Sequence, residues 1–229
     1  MKAIIIAIKC GIYVPYYFLI LFFSWAIGIQ NYKLIHRMAV KTIKHCGKKV
    51  TVYGLENISH IDDFPFVIYS NHRSMIDPVI IASFIKKDMS FVMKKGLKKN
   101  ILLSAISKIT SSKFFGRTPK EDIETIKEMV DETRKGKSWL IFPEGKRNLE
   151  DISFHASTFR IPSSGKSVIL PVAVYHTESV IESDDVCQDI KISFLKPIFY
   201  DGYMSMKTTH IAKMIENIVA EEVKRLKNV

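Results

Sequence analysis

The sequence predicts an α/β fold. Short apolar runs bounded by Gly, Pro, Asn and Asp alternate with segments whose apolar residues recur at helical spacing. At 229 residues and 47% hydrophobic content, the chain can bury one substantial core rather than two. One domain over residues 33–229 is therefore expected, preceded by a hydrophobic, helical membrane-anchoring segment over residues 1–32.

That first segment, "MKAIIIAIKCGIYVPYYFLILFFSWAIGIQNYK", is uncharged from Cys10 to Tyr32, a run of 23 residues. At about 1.5 Å per residue, a helix of this length can cross a hydrocarbon core of about 30 Å. Tyr, Phe and Trp crowd it where a cleaved signal peptide would place small residues, so the segment reads as retained. Gly11 and Pro15 can bend it, and Tyr13, Tyr16, Tyr17 and Trp25 suit an interface, so a monotopic hairpin competes with a full span. Six Lys or Arg and a single acid, Glu56, follow between Asn31 and His60. Under the positive-inside rule this flank, and the domain after it, lie in the cytoplasm.

Within the domain, "KVTVYG", "FVIYS" and "SFVMK" read as strands, with a helix from about Pro78 to Lys86 between the last two. A second helix starts at "TPKE", where Thr118 offers a cap, Pro119 suits the first helical position and Glu121 closes a capping box. Ile123, Ile126 and Val130 carry its apolar stripe, and Gly136 marks its end. "SWLIFPEG", "SVILPVAVY" and "IKISFLKPI" then read as central strands. A last helix presents Ile211, Ile215, Ile218, Val219 and Val223 along one face, which packs on the sheet.

Charge narrows the partner. Lys and Arg number 34 against 23 acids, a net charge of +11, which calls for an anionic surface or substrate. The interval from Lys86 to Lys120 is the densest part, with ten basic residues and one acid, Asp88. Its companions "ILLSAI" and Phe114-Phe115 suit a surface that meets lipid head groups. No helix-turn-helix or aromatic RNA-binding strand accompanies the charge, so nucleic acid is not expected as a partner. Cys10, Cys46 and Cys187 are far apart and form no zinc pattern with the seven histidines, so reduced thiols and no metal are expected.

Two stretches at strand ends can carry chemistry. In "YSNHRSMIDP", a turn before a helix can bring Asp77 to His72, although the two are five residues apart. The carboxylate would then fix one imidazole nitrogen as N–H and leave the other as a general base. From these ten residues alone the favoured reading is plainer, with Asp77 the cap of the next helix and His72 a satisfied polar residue. In "FPEGKR", Pro143 and Gly145 shape a turn, Glu144 accepts hydrogen bonds, and Arg147 can fork onto a phosphate or carboxylate.

Taken in order, "NHRSMID", "FFGR", "FPEGKR" and "ILPVAV" resemble the four motifs of the glycerolipid acyltransferases, the PlsC-like family of 1-acylglycerol-3-phosphate acyltransferases. The resemblance covers about residues 50–175. It implies a mixed central sheet flanked by helices. It also implies acyl transfer from a thioester on coenzyme A or acyl carrier protein to the hydroxyl of lysophosphatidic acid or another lysolipid, with no cofactor. By resemblance His72 is the base, Asp77 its orienting partner, Lys94 and Arg117 the phosphate ligands, and Glu144, Gly145 and Arg147 parts of the acceptor site. Pro171 matches the proline of the fourth motif. The sequence departs from the family pattern at Lys146, where Thr is usual, at "FHASTF", where Ser157 replaces Gly, and at "FFGR", which lacks the usual Ile-Asp before Arg. These departures leave the acceptor's head group open between phosphatidic-acid synthesis and acylation of another lysolipid such as a lyso-ornithine lipid. A catalytically silent membrane scaffold of the same fold is the reading from a different class.

Overall fold

The computed structural model describes residues 28, 30–46, 48–116, 118–149, 151–180 and 189–229. Of the anchoring segment predicted over residues 1–32, residues 1–27 and 29 lie outside them, as do Arg117 and Cys187. No helix of the described residues is long and apolar enough to cross a membrane.

Seven strands among the described residues form one mixed sheet. They are β1 (Val50–Tyr53), β2 (Phe66–Ser70), β3 (Ser90–Lys94), β4 (Lys113–Phe115), β5 (Trp139–Ile141), β6 (Val168–Tyr175) and β7 (Ile190–Phe194), in the spatial order β1-β7-β6-β2-β5-β3-β4. β2 lies at the centre, parallel to β5 and β6, and its five residues are all buried. β3 continues the parallel block beside β5, and β4 lies parallel to β3. β7 runs antiparallel to β6, and β1 follows β7. The carboxyl ends of β2, β3, β4, β5 and β6 therefore share one edge, where open α/β sheets place their ligands.

Helices cover both faces. α1 (Tyr32–His45), α2 (Glu56–Ser59), α3 (Asp77–Phe84), α4 (Ile101–Ile109), α5 (Pro119–Arg134), α6 (Arg160–Gly165) and α7 (Thr208–Asn228) follow in chain order. Alternate residues of β2 serve opposite layers, as strand geometry requires. Phe66 and Ile68 pack with α1 and α3, whereas Val67 and Tyr69 pack with α5 and α7. Each apolar side chain so buried contributes about 1.5–3 kcal/mol relative to exposure, which is why the central strand tolerates no polar interruption before Ser70.

The expected elements are present, with edges moved by local chemistry. α3 starts at Asp77 and stops at Phe84, because Ile85 is extended, with φ −94° and ψ 112°. Thr118 caps α5 by accepting from the Glu121 N–H, and Gly136 ends the turn after it at φ +95°. Ile211, Ile215 and Val219 of α7 are fully buried, and Ile218 and Val223 pack beside them. Helices α1 and α4 and the short strand β4 were not expected. In α1 the apolar face is interleaved with lysines and arginine, yet Tyr32, Leu34, Ile35 and Ala39 are buried, and Tyr32 donates to the Ile85 carbonyl at 3.0 Å.

Candidate active site

His72 lies just beyond β2, in a turn that Asp77 organises. The first residue of α3, Asp77 does not cap it: the cap position is Ile76, which makes no side-chain bond to the helix. Its carboxylate turns back along the chain instead. Asp77 Oδ2 accepts from His72 Nδ1 at 2.8 Å, from the Arg73 N–H at 2.7 Å and from the Ser74 N–H at 2.8 Å. The Asp77 N–H closes the turn by donating to the Ser74 carbonyl at 3.2 Å. An ionised carboxylate can only accept, so Nδ1 carries the hydrogen and Nε2 keeps the basic lone pair. The imidazole stacks on Phe142, with ring centroids 4.2 Å apart, and remains 19% exposed.

The turn after β5 grips the His72 backbone from both sides. Glu144 Oε1 accepts the His72 N–H at 2.8 Å, and the Asn148 N–H donates to the His72 carbonyl at 2.8 Å. Glu144 is only 4% exposed, and its Oε2 has no hydrogen-bond partner. Burial raises its carboxyl to about 7, against the opposing pull of the His72 N–H, the His72 and Arg73 charges and the Asn148 side chain. Gly145 holds φ +66°, a conformation that favours glycine, so the chain can reverse directly after Glu144.

Two further contacts fix the surroundings. Buried Asn71 pairs with the Val174 backbone of β6 through both ends of its amide, each bond 2.9 Å long, which ties the exit of β2 to its neighbour. Arg73 forks onto Glu178 through Nε and Nη2 at 3.0 and 2.8 Å and lies over the Tyr175 ring. Burial alone would push Glu178 up, but the two N–H bonds and the charge of Arg73 outweigh it and hold the carboxyl below its ordinary value.

Of the residues singled out in the sequence, His72, Asp77 and Glu144 are in direct contact. Lys94, Gly145 and Arg147 share the carboxyl edge and are exposed. Lys94 ends β3, two strands from β2, and forms no ion pair with a described residue. Arg117 falls outside the described residues, between Gly116 and the Thr118 cap. Asn71, Phe142, Asn148 and the Arg73–Glu178 pair were missed. Asn71 adjoins His72 and Phe142 opens "FPEGKR", so proximity in sequence could have flagged both, whereas nothing in the sequence pattern marks Glu178.

The chain is similar to known proteins in sequence and in fold. The sequence profile of the family described as Acyltransferase matches residues 49–175, more than half of the chain. The chain is similar to a 1-acyl-sn-glycerol-3-phosphate acyltransferase of Saccharomyces cerevisiae, 25% identical over 191 residues, covering 79% of this chain and 61% of that protein. It is also similar to a chloroplastic 1-acyl-sn-glycerol-3-phosphate acyltransferase of Arabidopsis thaliana, 26% identical over 136 residues, 58% of this chain and 38% of that protein. The chain thus spans less than two thirds of the length of these two relatives. A probable 1-acyl-sn-glycerol-3-phosphate acyltransferase of Mycoplasma genitalium is 23% identical, with 90% of this chain and 87% of that protein covered. The fold is that of the crystal structure of the 1-acyl-sn-glycerophosphate (LPA) acyltransferase PlsC from Thermotoga maritima, with a TM-score of 0.79, 20% identity and coverage of 99% and 98% of the two chains. With its four motifs in order, its mixed α/β sheet and a matching profile across residues 49–175, the chain belongs to the acyltransferase family.

Proposed function

We propose that the protein is a membrane-bound 1-acylglycerol-3-phosphate O-acyltransferase. His72 Nε2 removes the proton from the free sn-2 hydroxyl of lysophosphatidic acid as that oxygen attacks the carbonyl carbon of an acyl thioester. The carbon–sulfur bond then breaks, the imidazolium returns the proton to the departing sulfur, and phosphatidic acid and a free thiol are released. Asp77 holds the imidazole and balances the positive charge that forms on it. Lys94, Arg117 and Arg147 offer cations for the acceptor's phosphate, and Gly145 lets the chain turn beside it. The reaction requires no metal or redox cofactor. The donor is acyl-CoA or acyl carrier protein, the segment over residues 1–32 anchors the enzyme, and the domain over 33–229 works from the cytoplasmic side.

The observation that carries this reading is the 2.8 Å contact between His72 Nδ1 and Asp77 Oδ2 at the carboxyl edge of a family-matching sheet. A second reading, transfer to a lysolipid with another head group, is supported by Lys146, an exposed cation in place of the family's usual Thr that forms no ion pair with a described residue. The test is turnover of purified protein with lysophosphatidic acid and a labelled acyl donor. His72→Ala should lower the rate by about 10²- to 10⁴-fold, the usual contribution of a positioned base. Equal turnover by the two proteins would remove His72 from the mechanism, and no turnover with any lysolipid would favour a silent scaffold.

A further inference from the structure

Residues 94–102, "KKGLKKNIL", are all exposed, nine in succession, and lie at the carboxyl edge directly after β3. They hold four lysines, three large apolar side chains and no acid. The apolar groups are presented rigidly. Asn100 caps α4 by accepting from the Leu103 N–H at 3.1 Å, which fixes Ile101 and Leu102 in the first turn with their side chains in water. Ile101 is 76% exposed, the most exposed large apolar side chain of those described.

The same edge carries Met75, in the turn between His72 and Asp77, and Leu149, next to the residue that binds the His72 carbonyl, both exposed. The opposite edge differs in sign. There the exposed Leu55 and Phe64 stand beside Glu56, Asp62 and Asp63, all exposed carboxylates. Four lysines and no acid accompany the apolar groups at 94–102, whereas at the opposite edge those three carboxylates stand with Lys87, whose Nζ donates to the Asp62 and Phe64 carbonyls.

We propose that residues 95–102 form a membrane-insertion wedge, in which Leu97, Ile101 and Leu102 enter the acyl region of an anionic bilayer while Lys95, Lys98 and Lys99 engage its head groups. The wedge orients the sheet so that its carboxyl edge faces the lipid and an amphiphilic acceptor reaches His72 without crossing water. Apolar side chains flanked by lysines are the composition that partitions to such an interface, and each lysine adds attraction to anionic lipid. The wedge rests on the proposed lipid acyltransferase function only for its purpose, and its test uses no turnover.

In the full chain with Cys10, Cys46 and Cys187 replaced by Ala, Ile101→Cys carries an environment-sensitive fluorophore, and Phe64→Cys in the same background carries it at the opposite edge. Both proteins are reconstituted into vesicles of phosphatidylcholine with and without phosphatidylglycerol. The expected result is that spin-labelled acyl chains quench the probe at position 101 far more than the one at 64, that iodide does the reverse, and that the difference grows with phosphatidylglycerol. Lys98→Glu with Lys99→Glu should reduce it. Iodide quenching at 101 equal to that at 64 overturns the proposal. So does a probe at 101 shielded from both quenchers, which would mean that residues 1–27 cover it. A wet probe at 101 together with a raised KM for acyl carrier protein, but not for acyl-CoA, in the Lys98→Glu, Lys99→Glu variant overturns it in favour of an acidic protein partner. If insertion holds while no lysolipid is acylated, the catalytic reading fails and the wedge stands. The Phe64→Cys protein and circular dichroism report whether the shared background is folded.

Discussion

Glu144 and Asp77 act on the same histidine through different chemistry. Asp77 Oδ2 collects three hydrogen bonds, two of them from backbone N–H groups, which fixes both the ring and the turn that carries it. At Glu144 burial outweighs the His72 N–H and the Asn148 side chain and raises the carboxyl to about 7. Between its ordinary value of 4.5 and about 7, the folded protein keeps a proton that the unfolded chain has already lost. Unfolding free energy therefore falls as pH rises across that window and levels off above it. Glu144→Gln lacks this titration while its amide oxygen can still accept the His72 N–H. Thermal unfolding in detergent should show the variant gaining stability relative to the parent as pH rises from about 4.5 to about 7, with no further change above. A constant difference across the range would mean that Glu144 stays ionised in the fold. His72 and Asp77 were legible as a pair only through the four motifs following in order, since the ten residues around them also suit a helix cap. The grip of Glu144 on the His72 backbone was not, because 72 residues intervene and only the pairing of β2 with β5 brings them together.

At the scale of elements, the turn after β6 is fastened to the His72 turn after β2 by Arg73 and Glu178, whose side chains are both largely buried. With two bonds from a planar guanidinium to one carboxylate, the pair is directional as well as attractive. Removing the charge at one end leaves Arg73 half-buried with a weaker acceptor. Glu178→Gln should cost about 1.5–3 kcal/mol near neutral pH. Because the Glu178 carboxyl is held below its ordinary value, this contribution is present above 4.5 and is lost as pH falls through the folded value, so parent and variant should converge in acid. Denaturation midpoints at neutral and acidic pH measure both. The elements themselves were read from local signals wherever those were strong: the capping box at Thr118, the uninterrupted apolar runs of β2 and β6, the stripe of α7. Helices α1 and α4 were not read although both are amphipathic: α1 keeps its lysines and arginine in water and turns Tyr32, Leu34, Ile35 and Ala39 toward α3, and α4 buries only Ser107 and Ile109, so which face is covered depends on neighbours that no local pattern names.

For the whole molecule, topology converts three distant stretches of sequence into one charged edge. β2, β5 and β3 are neighbours in that order, so the end of β3 stands about 10 Å from the end of β2 at the usual strand spacing. A lysine side chain and a glycerol phosphate together can bridge that gap from opposite sides. Lys94 has the position for it, since it is exposed at the end of β3 and forms no ion pair with a described residue. Its strand was evident in the sequence, but its distance from His72 depends on strand order, which no local pattern encodes. If Lys94 binds the acceptor's phosphate in both ground and transition states, Lys94→Ala should raise KM for lysophosphatidic acid about tenfold with kcat nearly unchanged, the signature of uniform binding. The rise should shrink at high salt, because an exposed cation is screened. A lysolipid without phosphate supplies the control: its KM should stay the same in the variant, and an equal rise for both acceptors would assign Lys94 to contact with the bilayer rather than with the bound head group.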